Sequence, residues 1–143
     1  MSLPLLIAYG SFKGKGKNYA ITLGNQYGVD PIEMNDLSIN QMLACNIILF
    51  IVSTFGKGVF PQNAAAFFEK LKESKEDLSN LRFAVLGLGS SKHKLYDQAA
   101  RDLFAELEAH HAKPLCQLYE VDARAADSGE SSFIRWQREL EAH

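Results

Sequence analysis

The sequence predicts an α/β fold, a doubly wound five-stranded parallel sheet in the order 2-1-3-4-5 with helices on both faces. Three observations predict it. Apolar runs at 3–9, 47–52 and 83–86 are too short for buried helices, and each leads into a glycine-rich segment. Between them lie stretches with apolar residues every four positions, the spacing of one helix face. Strands alternating with helices in this way build a doubly wound sheet.

The elements follow in order. The run at 3–9 (LPLLIAY) is the first strand, and 16–27 is a helix with Tyr19, Leu23 and Tyr27 on one face. Gly28 is its expected C-cap, while Gly24 weakens it. Residues 29–34 make a poor strand interrupted by Pro31, acceptable only at a sheet edge. A short helix at 37–44 has Ser38 as a weak cap. The run at 47–52 (IILFIV) lacks alternation, as a strand covered on both faces does. Pro61 opens a helix to Ser74 that buries 64–68 and Leu71, and 82–88 is the next central strand. A helix at 95–111 carries Leu95, Ala99, Leu103 and Leu107 on its buried side. Residues 115–121 form the fifth strand, and 131–143 close the chain as an amphipathic helix through Phe133, Trp136 and Leu140. No repeat, linker or low-complexity tract divides 1–143, so a single domain is expected.

Composition agrees with an ordinary globule, with 47% hydrophobic and 22% charged residues and a net charge of −2. The distribution of charge says more. Lys13, Lys15, Lys17, Lys57, Lys92 and Lys94 fall in or beside the glycine segments, whereas acids gather at 69–77 and 102–108. Cys45 and Cys116 have no metal-type spacing and read as small core residues of a reducing compartment. The start of the chain lacks a signal-peptide pattern, and no apolar run reaches the ~20 residues of a membrane helix. The expected location is cytoplasmic, with neither membrane nor nucleic acid as a partner.

In a parallel sheet the three glycine loops emerge at the carboxyl ends of the strands, where such sheets bind ligands. The first loop runs from Gly10 through Ser11, Phe12, Lys13, Gly14 and Lys15 to Gly16. It is not a Walker loop: Gly10 to Gly16-Lys17 is one residue too long, and Asn18 replaces the magnesium-binding hydroxyl. The dinucleotide spacing G-x-G-x-x-G also fails, at both Gly14-x-Gly16 and Gly87-x-Gly89. What remains is a cradle of backbone N–H groups capped by a helix N-terminus, suited to an anion or phosphate. For one loop, a tight turn that merely tolerates glycine is the simpler reading. Three such loops at one edge favour a ligand.

The second loop places Phe55 between Ser53-Thr54 and Gly56-Lys57-Gly58, where a planar ligand could stack on its ring. The alternative is that Phe55 folds back on the core. In the third loop His93 stands at a comparable place, although a lone histidine is more often a surface residue. His110 and His111 lie at a helix end, where they suit the macrodipole without further role. There is no Gly-x-Ser-x-Gly elbow, no paired carboxylate near the loops and no His/Asp relay for the serines. Such a site suits a cofactor that brings its own chemistry.

These residues carry a resemblance. Gly10-Ser11-x-x-Gly14, Ser53-Thr54-Phe55-Gly56-x-Gly58-x-x-Pro61-x-Asn63-Ala64 and Phe83-Ala84-Val85-x-Gly87-Leu88-Gly89-Ser90 resemble the FMN-binding domain of diflavin reductases. Sulfite reductase flavoproteins and the reductase part of nitric oxide synthases belong to that group, which is related to the flavodoxins. Val121-Asp122 and Phe133-Ile134-x-Trp136 extend the likeness to the closing segment.

The resemblance implies FMN as cofactor. Ser11, Gly14 and Gly16 would hold its phosphate, with Phe12, Lys13 and Lys15 in the same loop and Asn18 at the helix start. Ser53 and Thr54 would line the ribityl side, Phe55 would stack on the flavin, and Gly56 would face N5, with Lys57 and Gly58 beyond. Leu88, Gly89 and Ser90 would approach the pyrimidine edge, with Tyr96 nearby. His93 falls at the second stacking tyrosine, and Asp122 on the far wall. Lys13 and Lys15 stand where the family has threonines, and would replace hydroxyl contacts to the phosphate by Coulomb attraction. Lys57 stands where it has an acid, and with a protonatable His93 would favour a reduced, anionic flavin and a more positive second potential. The implied partners are an electron-donor reductase carrying FAD and NADPH and an acceptor redox protein with an acidic docking face. Two other readings stay open: a flavodoxin-like interaction module without FMN, and a binder of another anionic ligand.

Overall fold

The computed structural model describes residues 4–11, 14–54, 58–90, 95, 97–124, 127 and 129–143. The sheet contains β1 (Leu5–Gly10), β2 (Ile32–Glu33), β3 (Ile47–Ser53), β4 (Arg82–Gly89), β5 (Lys113–Pro114) and β6 (Tyr119–Asp122). Its order is β2-β1-β3-β4-β5, with β6 also on β4, and every pairing is parallel. The helices are α1 (Lys15–Tyr27), α2 (Ile39–Ala44), α3 (Gln62–Glu73), α4 (Gln98–Ala109) and α5 (Glu130–Glu141). A 3₁₀ turn at Met34–Asp36 follows β2.

Alternate residues of the central strands feed two cores. In β3, Ile48, Phe50 and Val52 pack with Phe67 and Leu71 of α3 and Leu103 and Leu107 of α4. Ile47, Leu49 and Ile51 pack with Tyr19 and Leu23 of α1 and with Phe133, Trp136 and Leu140 of α5. Both faces are covered, which is why the strand reads as an unbroken apolar run. Across that second face Tyr19 stacks on Phe133 with ring centroids 4.2 Å apart.

Local chemistry sets the helix ends. Ser38 is more than the weak cap expected. Its hydroxyl accepts the Gln41 N–H at 3.1 Å and the Gln41 side chain accepts the Ser38 N–H at 2.8 Å, a complete capping box. Gly28 closes α1 with φ 69°, donating its N–H to Gly24 O. Gly24 is buried because the chain folds back over it: a Cβ there would lie 2.3 Å from Val29 O and 3.2 Å from Pro31 Cδ.

In α3, Ala64, Phe67 and Leu71 are buried as expected, but Ala65 and Ala66 of the expected 64–68 stripe are exposed. Two further elements differ from expectation. The helix expected from residue 95 begins at Gln98, and Leu95 is an exposed loop residue rather than part of the buried stripe. The fifth strand is split. Phe83 pairs with Pro114 and Leu86 with Tyr119, so two residues of β4 face four of the partner segment. The two extra residues let Leu115 join one core and Leu118 the other.

Candidate functional site

The carboxyl ends of β1, β3, β4 and β6 converge on one edge. There the first loop closes on the hydroxyl of Ser11, whose Oγ accepts the N–H groups of Gly14 and Gly16, each at 3.1 Å. Gly14 makes this possible with φ 82°, a left-handed conformation that also starts α1. Gly16 must be small, because a Cβ there would lie 3.0 Å from Ser11 Cβ. No acid stands in the first turn of α1, so the positive end of its dipole faces this loop unopposed by its own helix.

Position is set from the neighbouring helix. The Ser11 N–H donates to Asn63 Oδ1 at 3.1 Å. At Gly10 a Cβ would come within 2.5 Å of Ala64 Cβ, so the first turn of α3 rests directly on the end of β1. Asn63 belongs to the quoted motif, but its role in holding Ser11 was not read from the sequence. A second amide continues the anchor: Asn35 donates from Nδ2 to Gln62 O and accepts the Phe67 N–H at Oδ1, both at 2.9 Å.

Beside this anchor lies a cleft of ≈ 560 Å³ lined by Ser11, Glu33, Asn35, Asp36, Gln62 and Asn63. Its lining is acidic and amide-rich. Burial, with Glu33 and Asp36, holds the Tyr9 phenol above its ordinary value. Of the loop lysines only Lys15 and Lys17 are among the described residues, and neither lines the cleft. Lys15 Nζ instead stands 5.8 Å from the Tyr19 ring centroid, and Lys17 and Asn18 are exposed on α1.

The second and third loops join through Thr54. Ser53 pairs with Leu88 in the ladder, and the Thr54 N–H donates to Leu88 O at 3.0 Å. Thr54 Oγ1 accepts the Ala99 N–H at 3.1 Å, capping α4 from another strand, since the Asp97 side chain makes no capping bond. Gly58, with φ 88°, sits against Leu95 and Gln98. On the far wall Gly89 pairs with Asp122, whose Oδ1 accepts the Arg124 N–H at 2.9 Å. The structure therefore gathers Ser11, Gly14, Gly16, Ser53, Thr54, Gly58, Leu88, Gly89, Ser90 and Asp122 on the loop side of the sheet. Phe12, Lys13, Phe55, Gly56, Lys57, His93 and Tyr96 lie outside the described residues.

Two readings change. Paired carboxylates do stand beside the third loop, since Glu120 of β6 lies within hydrogen-bonding reach of Asp97. They are 23 positions apart, and only the β4–β6 register brings them together. His110 is not simply a surface complement to the helix dipole: it is buried, with its ring nitrogens 2.9 Å from Glu106 O and 2.8 Å from Ser74 O. Among the described residues no group of side chains could hold a metal ion. No helix there is long and apolar enough to cross a membrane.

A doubly wound parallel sheet with this strand order and its glycine loops at one edge defines a flavodoxin-like domain. The flavodoxin family model matches residues 7–136, and the chain belongs to that family. It is 29% identical to NADPH-dependent diflavin oxidoreductase 1 of Gibberella zeae over 97% of its length, covering 24% of that protein. It is 31% identical to sulfite reductase [NADPH] subunit beta of Saccharomyces cerevisiae over 96% of its length, covering 10%. The chain thus spans a quarter or less of these curated relatives. Among solved structures, oxidised Flavodoxin 1 from Bacillus cereus superposes with a TM-score of 0.80 at 17% identity, each chain covered to 97%.

Proposed function

We propose that this chain binds FMN and passes single electrons between a reductase and an acceptor protein. One observation carries the reading: two backbone N–H groups at the start of α1 converge on a single oxygen position, held there from α3 by Asn63. That is the donor set a phosphate monoester needs, and the flavodoxin family to which the chain belongs is one of flavin-binding domains.

When bound, FMN supplies the redox chemistry. The chain's part is to bind and orient it. Ser11, Gly14 and Gly16 hold the phosphate. Ser53 and Thr54 flank the chain of the cofactor, Phe55 and His93 stack, and Leu88, Gly89, Ser90 and Asp122 bound the far side. The proposed donor carries FAD and NADPH, by likeness to the relatives named above. The proposed acceptor offers an acidic face to the lysines of the loops, so its reduction slows as salt rises. Two free cysteines, one of them buried, suit a reducing compartment such as the cytoplasm.

The test is a titration of the purified protein with FMN, followed by flavin fluorescence. Saturable quenching by FMN, with riboflavin bound far more weakly, is expected. A protein that leaves excess FMN unquenched is not an FMN carrier, and the interaction-module reading takes its place.

A further inference from the structure

Asp97 opens α4 directly after the third loop, 1% exposed, and neither of its carboxyl oxygens meets a hydrogen-bond donor. The carboxyl lies flat against the sheet. A Cβ on Gly87 would be 2.3 Å from Asp97 Oδ1 and 2.5 Å from Ala100 Cβ, so only glycine leaves it room. Gly87 pairs with Glu120 across the β4–β6 ladder, and this register brings the Glu120 carboxyl up to Asp97. Glu120 is held in turn by Arg101, whose Nη2 donates to Glu120 Oε2 at 3.2 Å. The Arg101 side chain is 51% exposed and that of Glu120 33%.

An ionised carboxylate only accepts hydrogen bonds. Two ionised carboxylates in contact, one of them cut off from water, would repel and leave the buried one unsatisfied. A single proton resolves both problems. On Asp97 it turns an acceptor into a donor, and the new O–H donates to Glu120. Glu120 keeps its charge, which Arg101 and partial solvent contact support. The reverse placement would leave the charge on the more buried group.

We propose that Asp97 and Glu120 form a proton-binding site that holds one shared proton at neutral pH, carried on Asp97. Among the described residues the charged groups acting on Asp97 are Glu120 from β6 and Arg101 from its own helix, and Gly87 of β4 meets it without a side chain. Burial and the Glu120 contact push the Asp97 carboxyl up to about 9, against the opposing pull of Arg101. The proton comes from solvent through the exposed side of Glu120. The pair's protonation state sets the charge at the root of the third loop.

The sign of the linkage follows. A carboxyl whose folded value is raised binds more protons in the folded chain than in the unfolded one. Its contribution to stability is complete below the ordinary aspartate value and is lost as pH rises towards about 9. Asp97→Asn, which keeps the shape and can still donate to Glu120, removes that dependence.

The experiment is carboxyl-carbon NMR of the intact chain with labelled aspartate, across pH 3 to 10, together with urea unfolding of wild type and Asp97→Asn. One of the seven aspartates should stay protonated through pH 7, and its resonance should vanish in Asp97→Asn. The ratio of the two proteins' unfolding constants should change by up to about tenfold per pH unit between pH 5 and 8, the variant gaining as pH rises. Seven aspartates that all titrate in the acid range would overturn the proposal, as would a flat ratio. If Asp97→Asn does not fold, Glu120→Gln decides it: removal of that charge should shift the late-titrating resonance to lower pH, and an unmoved resonance excludes the pair.

Discussion

Ser11 Oγ accepts the backbone N–H of Gly16 at 3.1 Å, across five residues of a loop that joins strand to helix. The bond supports the proposed phosphate site, because the hydroxyl oxygen gathers two N–H donors that an anion's oxygen would also use. With FMN bound, the Gly14 and Gly16 N–H groups would donate to its phosphate, and the Ser11 hydroxyl would turn to donate to it as well. Ser11→Ala removes this last, charge-assisted bond. It should weaken FMN about 10- to 100-fold, the equivalent of ~1.5–3 kcal/mol, and leave riboflavin binding unchanged. Parallel fluorescence titrations with the two flavins check this; an equal loss for both would mean that the loop has merely been deformed.

His110 should be an imidazolium in the folded chain. Both ring nitrogens face carbonyl oxygens, those of Glu106 and Ser74, and neutral imidazole has only one N–H to give. Burial opposes the charge, but the two carbonyls and the Glu106 carboxylate outweigh it and raise the histidine above 6.5. A raised value means that the contribution is complete below about pH 6.5, the unfolded value. It is lost as pH climbs through the folded one. His110→Ala should therefore destabilise by about 1–3 kcal/mol at pH 6 and by less at pH 8.5. Urea midpoints at the two pH values test the sign.

Gly24→Ala should destabilise, against the rule for helix interiors. Alanine is worth up to about 1 kcal/mol over glycine in a free helix. Here its methyl would meet Val29 O at 2.3 Å, and Val29 is itself bonded to Gly24 O at 3.0 Å. The turn must open to admit it, at a cost of about 1–3 kcal/mol. Thermal unfolding of the variant decides: a higher midpoint would show that the turn yields freely.

What was legible in the sequence had local causes. The β3 run lacks alternation because both faces are covered, and the glycines mark three loops that a parallel sheet necessarily brings to one edge. Leu95 misled because it keeps step with Ala99 and Leu103 while lying outside the helix; an Asp at 97, a cap-type residue just before the apolar run, was the available signal. The split fifth strand has no local signature, since 115–118 (LCQL) reads as readily as a continuous strand as it does as an excursion. The Asp97–Glu120 pair and the Asn63 anchor depend on register and on helix-to-strand distance, which no spacing along the chain encodes.

Thr54 joins fold to site and gives the last prediction. As the sequence suggests, it stands at the end of β3 on the edge where the glycine loops gather, but its hydroxyl already accepts the Ala99 N–H at the start of α4. That N–H is one of the orphan donors of a helix N-terminus, and the adjacent Asp97 does not satisfy it. Thr54→Val preserves shape and removes the acceptor. It should cost ~0.5–2 kcal/mol, in the range of a lost N-cap, and the first turn of α4 should exchange its amide hydrogens faster. Thr54→Ser keeps the oxygen and should restore slow exchange at Ala99. If valine and serine behave alike in hydrogen exchange, the hydroxyl does not cap the helix.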